Sequence, residues 1–196
     1  AMHHLTRLLT TLFAALLLSA STSALAAELT DKTIQQWAGA YKAVQIFCQK
    51  QDSKDLEFMK EPVTPDMANL FTTAITRMKG QPIYSDFAGV LGQNGYADPL
   101  VWAGQGDRIM AATMAVELDK RGGNNAQQRA QMQQAMQGLQ NNPNLTPQQK
   151  AQMQQMMGVG TQMMTVAEKA PAADKAAVQR NEALLRSLFV DVRPKN

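Results

Sequence analysis

The stretch "QQRAQMQQAMQGLQNNPNLTPQQKAQMQQMM" runs from Gln127 to Met157 and writes nearly one phrase twice, as QQRAQMQQAM and then QQKAQMQQMM. One long helix or two helices side by side could carry such a repeat, and Pro143 decides between them. Its ring removes a backbone donor and pushes Asn142 out of helical dihedrals, so the chain turns within NNPN. The restart is written just as clearly. Thr146 is placed to cap the second helix, Pro147 takes its first position, and Gln149 lies three residues past the cap, the spacing of a capping box. An antiparallel helical hairpin over about 126–168 follows.

Each half of the hairpin is amphipathic. At about 100° per residue, Met132, Ala135, Met136 and Leu139 share a face of the first helix. Met153, Met157, Gly160, Met164 and Ala167 form a stripe on the second, with Met156 beside it, and glutamines fill most other positions. A stripe that only specified a rigid core would favour leucine or isoleucine, whose rotamers are better defined. Methionine gives a soft face that also suits surfaces accepting varied partners.

Two readings of the stripe stand side by side, buried core and adaptable binding face. The second makes Met132, Met136, Met153, Met156, Met157 and Met164 candidate contacts for a protein or peptide partner. A third reading uses thioether chemistry. Thioethers are soft ligands suited to Cu(I), and Met153 and Met157, one turn apart, could converge on an ion with Met132 or Met136. No histidine supports such a cluster, so neither a metal site nor a cofactor is assigned.

Upstream of the hairpin the sequence also spells helices. Ile34, Trp37, Tyr41, Val44 and Cys48 follow Thr30 at alternating spacings of three and four, with Phe47 widening the stripe. Thr64 and Pro65 predict another helix start, followed by Met67, Leu70, Phe71, Ala74, Ile75 and Met78 up to Gly80. Pro82 opens a shorter helix with Ile83, Phe87, Val90 and Leu91, ending at Asn94-Gly95. Asp98 and Pro99 start a long helix that closes at Gly122-Gly123.

Within that long helix, Gly104 and Gly106 lack the preceding strand and third glycine of a dinucleotide loop and predict close helix approach instead. Downstream of the hairpin, a last helix from about Lys175 carries Val178, Leu185, Leu188 and Phe189 on one face. No segment alternates with period two for long enough to predict a strand. The expected fold is an all-α bundle of six or seven helices in one domain, 27–196. Its parts are the helices of 27–121, the hairpin region 122–170, and the helix and tail of 171–196.

At the amino terminus, Arg7 precedes an apolar run from Leu8 to Leu18, and small residues close on Ala24-Leu25-Ala26. This is the pattern of a Sec signal peptide, residues 1–26, and predicts a periplasmic mature chain beginning near Ala27. The apolar run is too short to span a bilayer, which needs about 20 residues, so no stable membrane insertion is expected after cleavage. The formal charge of +3 becomes +2 once Arg7 is removed with that segment. So mild and dispersed an excess argues against nucleic-acid binding.

Both histidines, His3 and His4, lie in the signal segment, which leaves the mature chain without the commonest general base and metal ligand. Ser53, Ser85 and Ser187 have no histidine to activate them. Glu117 and Arg121 stand one turn apart as an ordinary helical pair, and Asp107 and Asp119 are too far apart along their helix to act on one bond. No enzyme is expected. Cys48 has no second cysteine in the chain to pair with and falls on an apolar seam, which predicts a small buried hydrophobe, with a reactive or intermolecular thiol as the alternative.

The segment NLTPQQKAQMQQMM resembles the LTxxQ region of the Spy/CpxP group of periplasmic helical stress proteins, with Leu145, Thr146 and Gln149 filling the motif. The likeness covers about residues 124–169. A second copy of the motif has its nearest counterpart at Leu29-Thr30-Asp31-Lys32-Thr33, where threonine replaces glutamine. The resemblance implies an ATP-independent chaperone or stress-signalling partner working as a dimeric helical cradle. From the residues alone, the expectation is a non-catalytic binder of protein or peptide. Cu(I) carriage through methionine, and a structural or inhibitory partnership with an envelope enzyme, are the alternatives.

Overall fold

Trp37 and Trp102 stack at the centre of the molecule with ring centroids 5.8 Å apart and planes 14° apart, and the helices are arranged around them. The computed structural model describes residues 28–52, 54–60, 66–122 and 125–190, apart from the side chains of Met59, Asn125, Ala126, Gln128, Arg129, Met132 and Val190. The expected signal segment, the expected Thr64-Pro65 helix start, Gly123 and the tail after 190 lie outside them. In chain order the described helices are α1 (Asp31–Gln49), a 3-10 turn (Glu57–Lys60), α2 (Leu70–Met78), α3 (Tyr84–Gln93), α4 (Pro99–Lys120), α5 (Asn125–Gln140), α6 (Pro147–Glu168), α7 (Ala172–Arg180) and α8 (Glu182–Val190). The fold is an all-α multi-helix bundle.

The central strut is α4, which packs against α1, α2, α3, α6 and α7. It starts where Asp98-Pro99 predicts, with the Asp98 carboxylate accepting from the Leu100 N–H at 2.9 Å. Phe71 of α2 meets both tryptophans edge-on, at 5.5 Å and 5.6 Å. That approach depends on Gly106, where a Cβ would stand 2.9 Å from the Phe71 ring and 3.1 Å from Trp37. The expectation of close helix approach therefore holds at Gly106. Gly104 faces open space and has no such role.

α1 and the end of α3 follow their sequence signals closely. Thr30 caps α1, with its hydroxyl accepting from the Thr33 N–H. Ile34, Trp37 and Val44 are buried, while Tyr41 and Cys48 pack at the edge of the core. Burying each such large apolar side chain contributes about 1.5–3 kcal/mol before entropy is counted. At the other end of α3, Gly95 takes φ +86°, a left-handed turn that glycine adopts without strain.

Two helix ends differ from expectation. α2 begins at Leu70 rather than near Pro65, because Met67 and Ala68 form a turn around Asp66, whose carboxylate accepts from the Ala68 N–H and the Asn69 amide. The expected single last helix is two, α7 and α8. The change falls at Asn181, which leaves helical dihedrals at φ −106° and ψ 16°. Its side-chain amide donates to both the Ala177 carbonyl and the Asp31 carboxylate, which fixes the break against the start of α1. The buried set foreseen there still stands, with Val178, Leu185 and Leu188 inside.

The hairpin forms as its sequence spells it. Thr146 and Gln149 make both arms of the capping box, Thr146 N–H to Gln149 Oε1 at 3.0 Å and Gln149 N–H to Thr146 Oγ1 at 3.3 Å. In the turn, the Asn144 N–H donates to the Asn142 side chain. Lys150 reaches across to the Gln140 carbonyl, satisfying one of the open acceptors at the end of α5. α6 lies on α4, and α5 lies on α6.

Candidate functional site: the methionine face and the α4–α6 cleft

Along α6 the methionine stripe passes from solvent into the core. Met153 is 42% exposed, Met157 and Gly160 are half-buried, and Met164 and Ala167 are buried, Met164 to 7%. The cause is length. Twenty-two residues at 1.5 Å rise span about 33 Å, and buried residues occur only towards the carboxyl-terminal end. From Pro147 to Met156 every residue is exposed except Lys150, which is half-buried.

The two readings of the stripe thus divide along one helix. Met164 serves packing and is unavailable as a partner contact. Met153 and Met156 are open, Met156 to 70%. On α5, Met136 is half-buried and Leu139 is buried. The backbone of Met132 lies within α5, and its side chain is outside the described residues.

Met163, which the stripe of alternating spacing left out, is 38% exposed. It stands seven residues after Met156, two turns along the same side, with half-buried Val159 between them. The exposed methionines of α6 are therefore Met153, Met156 and Met163, with half-buried Val159 between the last two. The signal was in the sequence as a second 3–4 spacing, next to the one that leads to Met164.

A second feature, a cleft of about 560 Å³ between α4, α6 and the start of α7, has no single motif behind it. Asp107, Arg108 and Ala111 come from α4, Thr161, Thr165, Val166 and Lys169 from α6 and its cap, Ala170, Pro171 and Asp174 from α7 and its approach, and Asp66 and Ala68 from the turn before α2. The lining is predominantly apolar. Its volume lies within the range of small-ligand sites, roughly 300–1,000 Å³.

Three carboxylates line this cleft in different states. Asp174 is fully buried and is clasped by Arg108 through Nε at 2.9 Å and Nη2 at 2.8 Å, while its Oδ1 also accepts from the Leu29 N–H. Asp107, 8% exposed, caps α2 from another helix. It accepts from the Phe71 N–H at 2.7 Å, the Thr72 N–H at 3.2 Å and the Thr72 hydroxyl at 2.6 Å. Asp66 is exposed at the rim.

Desolvation pushes the Asp107 carboxyl above the usual carboxylate range; the Thr72 hydroxyl and the two backbone donors oppose that shift, and the nearby Asp66 charge adds to it. The Ala68, Phe71 and Thr72 N–H groups, the Asn69 side-chain amide and the Thr72 hydroxyl, all uncharged, donate to Asp66 and Asp107. No group of three or more histidine, cysteine, aspartate or glutamate side chains is placed to hold a metal ion among the described residues. Burial pushes the Cys48 thiol up, which keeps it protonated at neutral pH. No described helix is long and apolar enough to cross a membrane.

Sequence reading missed the cleft because its lining comes from three separated segments, about 66–68, 107–111 and 161–174. Asp107 was visible only as an isolated acid, and neither neighbour order nor spacing announces a contact across 66 residues such as Arg108 with Asp174. Comparison of the chain with protein-family models, with curated proteins and with solved structures finds no match.

Proposed function

We propose that the protein is exported to the periplasm and binds apolar segments of protein or peptide partners, without catalysis, on the exposed methionine face of its hairpin. The role is chaperone-like or related to envelope stress. The observation that carries this reading is the line of Met153, Met156 and Met163, exposed at 42%, 70% and 38%. Long unbranched thioether side chains on a helix can repack against dissimilar apolar sequences, which suits a binder of varied segments.

The setting supports the same reading. Glutamines flank the methionines, so the face keeps hydrogen-bonding capacity for a partner's backbone while carrying little charge. A capped turn and the α5–α6 contact hold the helix in place without covering that line. Three exposed methionines make a small contact, which fits weak and reversible capture better than a permanent complex.

Fluorescence anisotropy with a labelled, permanently unfolded client tests this directly. Saturable binding that weakens when Met156 becomes glutamine supports the proposal. Binding that is absent, or indifferent to Met156→Gln and Met153→Gln together, removes it.

A further inference from the structure

We propose that the α4–α6 cleft is a second, separate binding site, and that it takes a short zwitterionic peptide of two or three residues with free amino and carboxyl termini. The inference does not depend on the methionine face.

Charge bookkeeping inside the cleft selects the ligand. Arg108 and Asp174 neutralise each other through their bidentate contact. Beside that pair stand Asp66 and Asp107, which accept from neutral N–H and hydroxyl groups, and Lys169, which forms no ion pair among the described residues. Asp107 Oδ1 accepts one hydrogen bond, and each Asp66 oxygen accepts one, so lone pairs remain for an incoming donor. An ammonium group beside them supplies the missing positive charge and relieves the repulsion between the two acids. A ligand carboxylate is the complement of Lys169.

Size and lining narrow the choice further. The α6 wall runs from Thr161 to Lys169, about 12 Å at 1.5 Å per residue. An extended tripeptide spans about 10–11 Å. Ala68, Ala111, Val166, Ala170 and Pro171 present small apolar surface to its side chains. A bare divalent cation is a poorer fit, because calcium takes six to eight oxygens and magnesium a near-octahedral shell, typically using more acidic ligands than these two.

Isothermal titration of the purified protein with tri-alanine and tri-leucine tests the inference, with the N-acetylated and C-amidated forms of each as comparisons. Saturable uptake of at least one free tripeptide is expected. N-acetylation should weaken it by about tenfold or more, the scale of a lost charge-assisted hydrogen bond, and amidation severalfold. Asp66→Asn should weaken binding and remove the sensitivity to acetylation, and Lys169→Gln should remove the sensitivity to amidation. Both residues are exposed, and thermal melts of the two variants check that the fold is kept. Absence of uptake at millimolar tripeptide, or uptake unaffected by capping both termini, overturns the proposal. Binding that persists in Asp66→Asn and Lys169→Gln with its end-group sensitivity intact places the peptide elsewhere and overturns it equally.

Discussion

The Arg108 guanidinium and the Asp174 carboxylate form a two-point contact, 2.9 Å through Nε and 2.8 Å through Nη2, between helices 66 residues apart in the chain. Asp174 has no exposed side-chain surface, so the pair ties α7 to α4 at a place where the carboxylate cannot turn to water, although Arg108 keeps 27% of its side-chain surface. Removing one partner of a buried pair strands the other and costs about 3–5 kcal/mol, more than the net worth of the pair itself. Arg108→Ala should therefore lower the urea midpoint strongly. The double change Arg108→Met, Asp174→Leu should recover most of that loss; a double variant as unstable as the single one would mean that the pair is not what holds α7 in place.

Two glycines on one helix should respond in opposite directions. At Gly106 an added methyl meets the Phe71 ring at 2.9 Å, and overpacking of this kind costs about 1–3 kcal/mol. At Gly104 nothing lies within 4 Å, and Gly→Ala in an open helix interior gains up to about 1 kcal/mol. Chemical denaturation of Gly104→Ala and Gly106→Ala reads the two signs, and equal effects would contradict the packing described around Trp37.

Two buried acids give stability a defined dependence on pH. Burial pushes Tyr96 up to about 12, so the folded protein keeps its proton where the unfolded chain, with an ordinary value of 10.0, gives it up. The contribution is intact below the unfolded value and is lost as pH rises from about 10 towards 12. Asp107 has the same sign at the acid end. Its raised carboxyl favours the fold when protonated, and that contribution is lost as pH rises through the folded value. Tyr96→Phe should flatten the alkaline limb of the stability profile, and Asp107→Asn should flatten part of the acid limb. Wild-type profiles matched by both variants would refute the assignments.

The capping box at Thr146 should matter locally. Loss of a threonine cap costs about 1 kcal/mol, yet the amino-terminal half of α6 has no buried residue through which to pass that cost to the core. Thr146→Ala should therefore speed amide exchange in α5 and the first turns of α6 while leaving the global melting temperature nearly unchanged. A large drop in melting temperature would show that the hairpin and the core unfold as one unit.

Particular residues show how far the sequence could be read. Pro143, Thr146 and Gln149 announced the hairpin turn and its restart because capping and proline effects are local, and Asp98-Pro99 announced α4 for the same reason. Asn181 did not announce its break, because the bond that fixes it reaches Asp31 across 150 residues. The start of α2 was misplaced for a related cause. Local signals at Thr64 and Pro65 pointed to an early start, while the cap on the helix comes from Asp107, on α4. The exposed half of the methionine stripe could not be told from its buried half, since both obey the same spacing and only the length of α6 beyond the body separates them.

As proposed, the exposed methionines of α6 bind clients without serving the core. A variant carrying Met153→Gln, Met156→Gln and Met163→Gln changes only exposed side chains and should melt within a few degrees of the wild type. Light scattering of an aggregating, reduced client measures the function of the face. The account predicts that the wild-type protein delays aggregation and that the triple variant, equally folded, does not. A triple variant that delays aggregation as well as the wild type, or a wild-type protein without effect at stoichiometric concentration, would contradict it.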